Sequence, residues 1–176
     1  MNAVIIYKSR YGSAKKYAEW IKEELGCDIR SEKETKIADL LKYDTIIYGG
    51  GLYSEVIAGV TLITKNIQKL NDKKIVVFTT GITPIEYSDY YDKYVIEKNF
   101  KQGVPENIKI FNFIGKMLLD ELTPVHKAAL KTLKKIMSAK ENPTEMEKLL
   151  VDLCDYNDNE MDKSYIKPLI DYVKEN

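Results

Sequence analysis

At 176 residues the chain is long enough for one domain with a sizeable core, and its 27 Lys and Arg balance its 27 Asp and Glu. That balance excludes a general nucleic-acid binder, which carries a basic face. No apolar stretch reaches the length of a membrane span, and the first residues run into a strand pattern with no signal peptide, so a cytoplasmic protein without an integral membrane segment is expected. Cys27 and Cys154 lie far apart without metal-ligand spacing, and each reads as a small buried hydrophobe. His126 is the only histidine, which leaves a His-based metal site or a Ser-His-Asp triad poorly supported.

The apolar run Ala3-Val4-Ile5-Ile6-Tyr7 predicts a buried parallel strand, and the helical spacing of Ala14, Tyr17, Ala18, Ile21 and Leu25 predicts a helix. Between them lies a small polar loop, Ser9-Arg10-Tyr11-Gly12-Ser13. Strand, small loop and helix form a phosphate-binding arrangement: the hydroxyls of Ser9 and Ser13 and the unpaired N–H groups at the helix start can surround a phosphate, and Gly12 lets the backbone approach it. The competing explanation is helix capping by serine. Neither G-x-x-x-x-G-K-[ST] nor G-x-G-x-x-G follows the strand, which leaves a loop suited to a mononucleotide.

Gly26 stands where a helix C-terminus expects a left-handed residue, and Cys27 to Arg30 reads as a polar edge strand. A short connection, Thr35 to Tyr43, leads to the buried strand Thr45-Ile46-Ile47-Tyr48, which ends in Gly49-Gly50-Gly51-Leu52-Tyr53-Ser54. One or two of these glycines fit a tight strand-to-helix turn, and a planar ligand lying against the backbone accounts for the third. A third helix is expected with Val60, Ile63, Ile67 and Leu70 buried, then the strand Ile75 to Phe78 ending in Thr79-Thr80-Gly81-Ile82-Thr83-Pro84. Thr83, Pro84 and Glu86 read as a capping box opening a helix with Tyr87, Tyr90, Tyr91, Tyr94 and Val95 on one face. After the strand Ile108 to Phe113 the pattern is all helical: one helix from Thr123-Pro124 with Val125, Ala129, Leu133 and Ile136 buried, one from Thr144-Glu145 with Met146, Leu149, Leu150 and Leu153 buried, and a last one with Ile166, Leu169, Ile170 and Val173.

Strands alternating with helices imply a doubly wound α/β sheet with ligands gathered at the carboxyl ends of the strands. The order and spacing of the three loops, Ser9 to Lys15, Gly49 to Ser54 and Thr79 to Pro84, resemble the flavodoxin family. Within it the chain looks most like the flavodoxin-domain branch that includes the menaquinone-dependent protoporphyrinogen oxidases. The resemblance implies a five-stranded parallel sheet of order 2-1-3-4-5 in a single domain over residues 1–176, with a helical insertion at about 115–162. It implies FMN, with the phosphate on Ser9, Arg10, Tyr11, Gly12, Ser13 and Ala14, and with Gly50, Gly51, Leu52, Tyr53, Thr80, Gly81 and Ile82 flanking the ring. Tyr11 and Ala14 depart from the Thr-rich family loop T-x-T-G-x-T. A glycine beside the ring, Gly50 or Gly51, would reorient its peptide as the ring takes up a proton.

The implied function is that of an electron carrier working with a redox partner protein. The near-zero charge, unlike that of strongly acidic flavodoxins, the basic residues Lys8, Arg10, Lys15 and Lys16 near the phosphate loop, and the long insertion leave room for a flavoenzyme acting on a quinone- or porphyrinogen-like small molecule. A module that kept the fold and lost its cofactor is the non-redox alternative.

Overall fold

The computed structural model describes residues 2–175. Its elements in chain order are β1 (Ala3–Lys8), α1 (Ser13–Leu25), β2 (Asp28–Ser31), α2 (Ile37–Leu40), β3 (Thr45–Tyr53), β4 (Val56–Ile57), α3 (Thr61–Thr64), β5 (Lys74–Gly81), α4 (Ile96–Asn99), β6 (Ile108–Ile114), β7 (Lys116–Met117), α5 (Pro124–Ser138), α6 (Glu145–Leu153), β8 (Asp158–Asn159) and α7 (Lys167–Lys174). The main sheet runs β2-β1-β3-β5-β6 with every neighbouring pair parallel. Counting these five strands alone gives the order 2-1-3-4-5 implied by the sequence. The short β4 lies off this path, antiparallel to the end of β3.

Two compact units are present, one reaching up to Gly115 and resuming at Met161, the other spanning Lys116–Glu160. In the first, Ala3 and Ile5 of β1, Ile47 of β3, Val76 and Phe78 of β5 and Phe113 of β6 form one buried cluster with α1 and α7. The alternation of strand side chains sends Val4, Ile6, Ile46, Tyr48, Ile75 and Val77 to the opposite face, where they are equally buried. Burial on both faces is what turns these strands into continuous apolar runs. α1 stops at Gly26, whose φ of 63° and amide bond to the Lys22 carbonyl make a left-handed terminus.

Two expected elements differ. The third helix is broken into α3 and a 3-10 turn at Ile67–Leu70. Val60, Ile63 and Leu70 are buried and Ile67 is half-buried, yet the β-branched Val60, Thr61, Ile63, Thr64 and Ile67 disfavour a continuous helix. The capping box at Thr83 and Glu86 does not form either. Thr83 is buried, its side chain pairs with the Tyr90 hydroxyl and its carbonyl accepts from Tyr91 Oη at 2.5 Å, so it is engaged elsewhere. Residues 84–87 form a turn instead, and the helical stretch begins at Ser88 and passes through a π-helical turn at Tyr90–Val95 before α4. Tyr90, Tyr91 and Val95 are buried, while Tyr87 and Tyr94 are exposed.

The second unit is not wholly helical, because β7 and β8 pair antiparallel at its two ends, Lys116 opposite Asn159. Thr123 caps α5, and Thr144 with Glu147 forms a reciprocal capping box on α6. α5 packs on α6, and Leu133, Met146, Leu149, Leu150 and Leu153 are half-buried. Val125, Ala129 and Ile136, expected inside, are exposed, Val125 at 74% and Ile136 at 54%. α5 carries apolar residues around too much of its circumference for one partner helix to cover. Among the described residues no helix is long and apolar enough to cross a membrane.

Candidate functional site

The site is built at the carboxyl ends of β1, β3 and β5, where parallel neighbours bring three loops side by side. β1 releases the chain at Lys8, and the loop re-enters regular structure at Ser13, the first residue of α1. Gly12 sits at the helix N-cap with φ of 94°, a left-handed conformation costly for a side chain, and a Cβ built there meets no atom within 4 Å. Its amide donates to Ser9 Oγ at 3.1 Å, which closes the loop on itself. The first turn of α1 carries no acidic residue, so the helix terminus presents main-chain N–H groups without a competing carboxylate.

The two serines of this loop are placed differently. Ser9 is half-buried at the loop, whereas Ser13 is buried with Oγ 3.2 Å from where a Cβ on Gly115 would lie. Ala14 packs its methyl into the core beneath α1. Arg10 and Gly12 are exposed and Tyr11 is half-buried. The basic residues around the loop are partly balanced by neighbours: Lys8 pairs with Glu32 at 3.2 Å, Lys15 with Glu19 at 3.8 Å, and Lys16 lies 5.3 Å over the Trp20 ring.

The glycine run is the largest departure from expectation. Gly49, Gly50 and Gly51 lie within β3, none with positive φ, paired in register with Phe78, Thr79 and Thr80. The protein itself fills the space beside each. A Cβ on Gly49 would fall 2.0 Å from Phe78 Cζ, one on Gly50 would fall 2.6 Å from Ile57 Cγ2 and 2.8 Å from the Ala58 carbonyl oxygen, and one on Gly51 would fall 3.1 Å from Tyr53 Oη. The Gly51 carbonyl also accepts from the Ala58 amide at 2.9 Å.

Past the glycines, β3 turns back into β4 through Ser54 and Glu55, non-glycine residues with φ of 48° and 63°. This two-residue hairpin replaces the expected strand-to-helix turn. It leaves Leu52 and Tyr53 half-buried at the site. The Tyr53 hydroxyl is bonded by the Arg10 backbone amide, its ring lies 6.4 Å from that of Tyr11, and burial raises its phenol pKa. Leu52 meets the third loop, since a Cβ on Gly81 would lie 3.3 Å from Leu52 Cδ1. Thr80 is buried inside β5, and Ile82 is half-buried just beyond its end.

All three loops therefore touch: Tyr53 reaches the first, and Leu52 the third. Gly115 was not singled out from sequence, yet its amide donates to the Gly81 carbonyl at 2.6 Å and it stands beside Ser13. Its position directly after the last strand of the main sheet was the available signal.

The flavodoxin domain family matches residues 4–146 of the chain. No curated protein matches it significantly. Among solved structures, the two-electron reduced flavodoxin of Megasphaera elsdenii is 20% identical, with 64% of this chain and 84% of that one covered and a TM-score of 0.47. A flavodoxin, WrbA-like protein from Agrobacterium tumefaciens is 20% identical over 53% of this chain and 66% of that one, just under two thirds of its length, with a TM-score of 0.42. Oxidised flavodoxin 2 from Bacillus cereus is 16% identical over 88% and 95%, with a TM-score of 0.39.

Proposed function

This chain belongs to the flavodoxin domain family, and from that premise we propose that it binds FMN and carries one or two electrons between cellular partners. The supporting observation is the convergence of the three loops: the first leads through an exposed, left-handed Gly12 into a carboxylate-free helix start and meets, at Arg10 and Tyr11, Tyr53 of the second loop, whose neighbour Leu52 meets Gly81 of the third. The residues fit the cofactor. Ser9, Arg10, Tyr11 and Gly12, with the main chain of Ser13 and Ala14, hold the phosphate; Leu52, Tyr53 and Ile82 flank the ring, and the main chain of Gly50, Gly51, Thr80 and Gly81 forms the floor beside it. FMN, when bound, supplies the redox chemistry. The chain binds and orients it, and the half-buried Leu52, Tyr53 and Ile82 shield it from water.

The direct test is the absorption spectrum of freshly purified protein, with mass analysis of any released chromophore. A colourless protein that also refuses added FMN sinks the reading. A potentiometric titration then separates carriers by its Nernst slope, one electron or two.

A second reading has a specific observation behind it: a compact unit of its own at Lys116–Glu160 on a chain without net charge. In this reading a quinone- or porphyrinogen-like small molecule is the redox partner, as the resemblance to menaquinone-dependent protoporphyrinogen oxidases implies. Replacing residues 116–160 by a short Gly-Ser linker distinguishes the two. Loss of turnover with quinones while reduction by protein donors persists supports the enzyme; unchanged turnover with every acceptor supports the carrier.

A further inference from the structure

The hairpin that carries Leu52 and Tyr53 turns through Ser54 and Glu55, both with positive φ. Two-residue hairpins of this kind favour Asn-Gly, because each central residue must enter the left-handed region. Ser and Glu disfavour that region, so the turn needs support from elsewhere.

That support comes from the end of α4. Asn99 Nδ2 donates to the Glu55 carbonyl at 2.7 Å and to the Val95 carbonyl at 2.7 Å, and its Oδ1 accepts from the Ile57 amide at 2.9 Å. One side chain thereby grips the turn, the β4 arm of the hairpin and its own helix. Lys98 Nζ donates to the Ser54 carbonyl at 2.7 Å and to Glu55 Oε2 at 2.8 Å. Both carbonyls of the turn are thus taken up by consecutive residues of a segment that is more than forty positions away in sequence.

We propose that Asn99 and Lys98 are positioning residues for the flavin site, holding the Ser54–Glu55 turn so that Leu52 and Tyr53 stand ready at the ring position. The role rests on the FMN reading above. Asn99 carries the larger share, since its bonds are part-buried whereas the Lys98–Glu55 pair is partly solvated and screened.

The experiment is a double-mutant cycle. FMN is titrated, by flavin fluorescence, into wild type, Asn99→Ala, the turn variant Ser54→Asn with Glu55→Gly, and the combination. Amide exchange at Ile57 is followed by NMR in parallel. Asn99→Ala is expected to weaken FMN about tenfold and to speed exchange at Ile57. In the Asn-Gly turn, which adopts the same conformation without help, the same substitution should cost less than half that factor. Lys98→Met and Lys98→Arg give an independent route should Asn99→Ala fold poorly, with affinity lowered in the first and restored in the second.

Faster exchange at Ile57 with unchanged FMN affinity overturns the proposal, because the turn has then been released without consequence for the site. Equal losses in both backgrounds overturn it too, since the effect then bypasses the strained turn. A wild-type chain that binds no FMN fails at the first titration, which overturns the flavin reading and this role with it.

Discussion

Phe78 lays its ring over Gly49, the residue opposite it in the β3–β5 ladder, so closely that Cζ stands 2.0 Å from where a Cβ on Gly49 would be. Both are fully enclosed, and Phe78 is itself stacked 5.4 Å from Phe113. Gly49→Ala should therefore destabilise the protein by about 2–3 kcal/mol through overpacking. Shortening the ring with Phe78→Leu in the same chain should recover part of that loss, so the two changes together cost less than their sum in urea denaturation. Additive losses would show that the clash is relieved elsewhere.

Gly12 has open space around it but a φ of 94°, so a substituent there is limited by backbone conformation. Gly12→Val should weaken FMN binding by at least about tenfold, as the loop abandons the left-handed turn that presents the α1 N–H groups. Riboflavin, which lacks the phosphate, should bind wild type and variant alike. Equal losses for both ligands would remove the phosphate from this loop.

Burial raises the phenol pKa values of Tyr17, Tyr48 and Tyr91 above the ordinary range, with the Glu32 charge adding to the effect at Tyr48 and Tyr90 adding to it at Tyr91. In the unfolded chain these groups ionise near pH ~10, so above that point the unfolded state releases protons that the folded state keeps. Their contribution to stability is complete below pH ~10 and is lost as pH rises further, by about 1.4 kcal/mol per pH unit for each tyrosine. Urea midpoints should be insensitive to these groups between neutral pH and about pH 9 and fall steeply above pH ~10. Tyrosinate absorbance from these three groups should appear together with unfolding and not before it.

Thr144 accepts from the Glu147 amide, and Glu147 returns a carboxylate to the Thr144 amide at 2.9 Å. Thr144→Ala should cost about 1 kcal/mol. Hydrogen exchange is expected to localise that cost to α6 and leave α1 and the central strands protected. A uniform loss across β1, β3 and β5 would mean that the two units unfold as one.

The parallel core was legible because strands buried on both faces leave unbroken runs such as Ala3 to Tyr7 and Ile75 to Phe78. The loop between β1 and α1 was legible because Gly12 and the α1 pattern are local features. At the glycine run, sequence shows the missing side chains at Gly49, Gly50 and Gly51 but not what fills their places. Phe78 is the occupant at Gly49, and it lies 29 positions further along the chain. The Ser54–Glu55 turn was hidden because neither residue signals a left-handed backbone, and the residues that sustain it, Lys98 and Asn99, look like ordinary helix surface. On α5 the apolar pattern was real, but periodicity does not reveal whether a neighbour exists to cover it. Val125 and Ile136 have none among the described residues over most of their surface.

Ile166, Leu169, Ile170 and Val173 lie at the far end of the chain yet pack into the same cluster as Ala3, Ile5 and Tyr17. On the ribosome, the strands and α1 emerge long before this covering does, and the whole of Lys116–Glu160 must be translated in between. One face of the nascent sheet, with Phe78 and Phe113 on it, waits half-dressed throughout that interval. A ribosome stalled within α6 would display an incompletely closed sheet with apolar side chains uncovered.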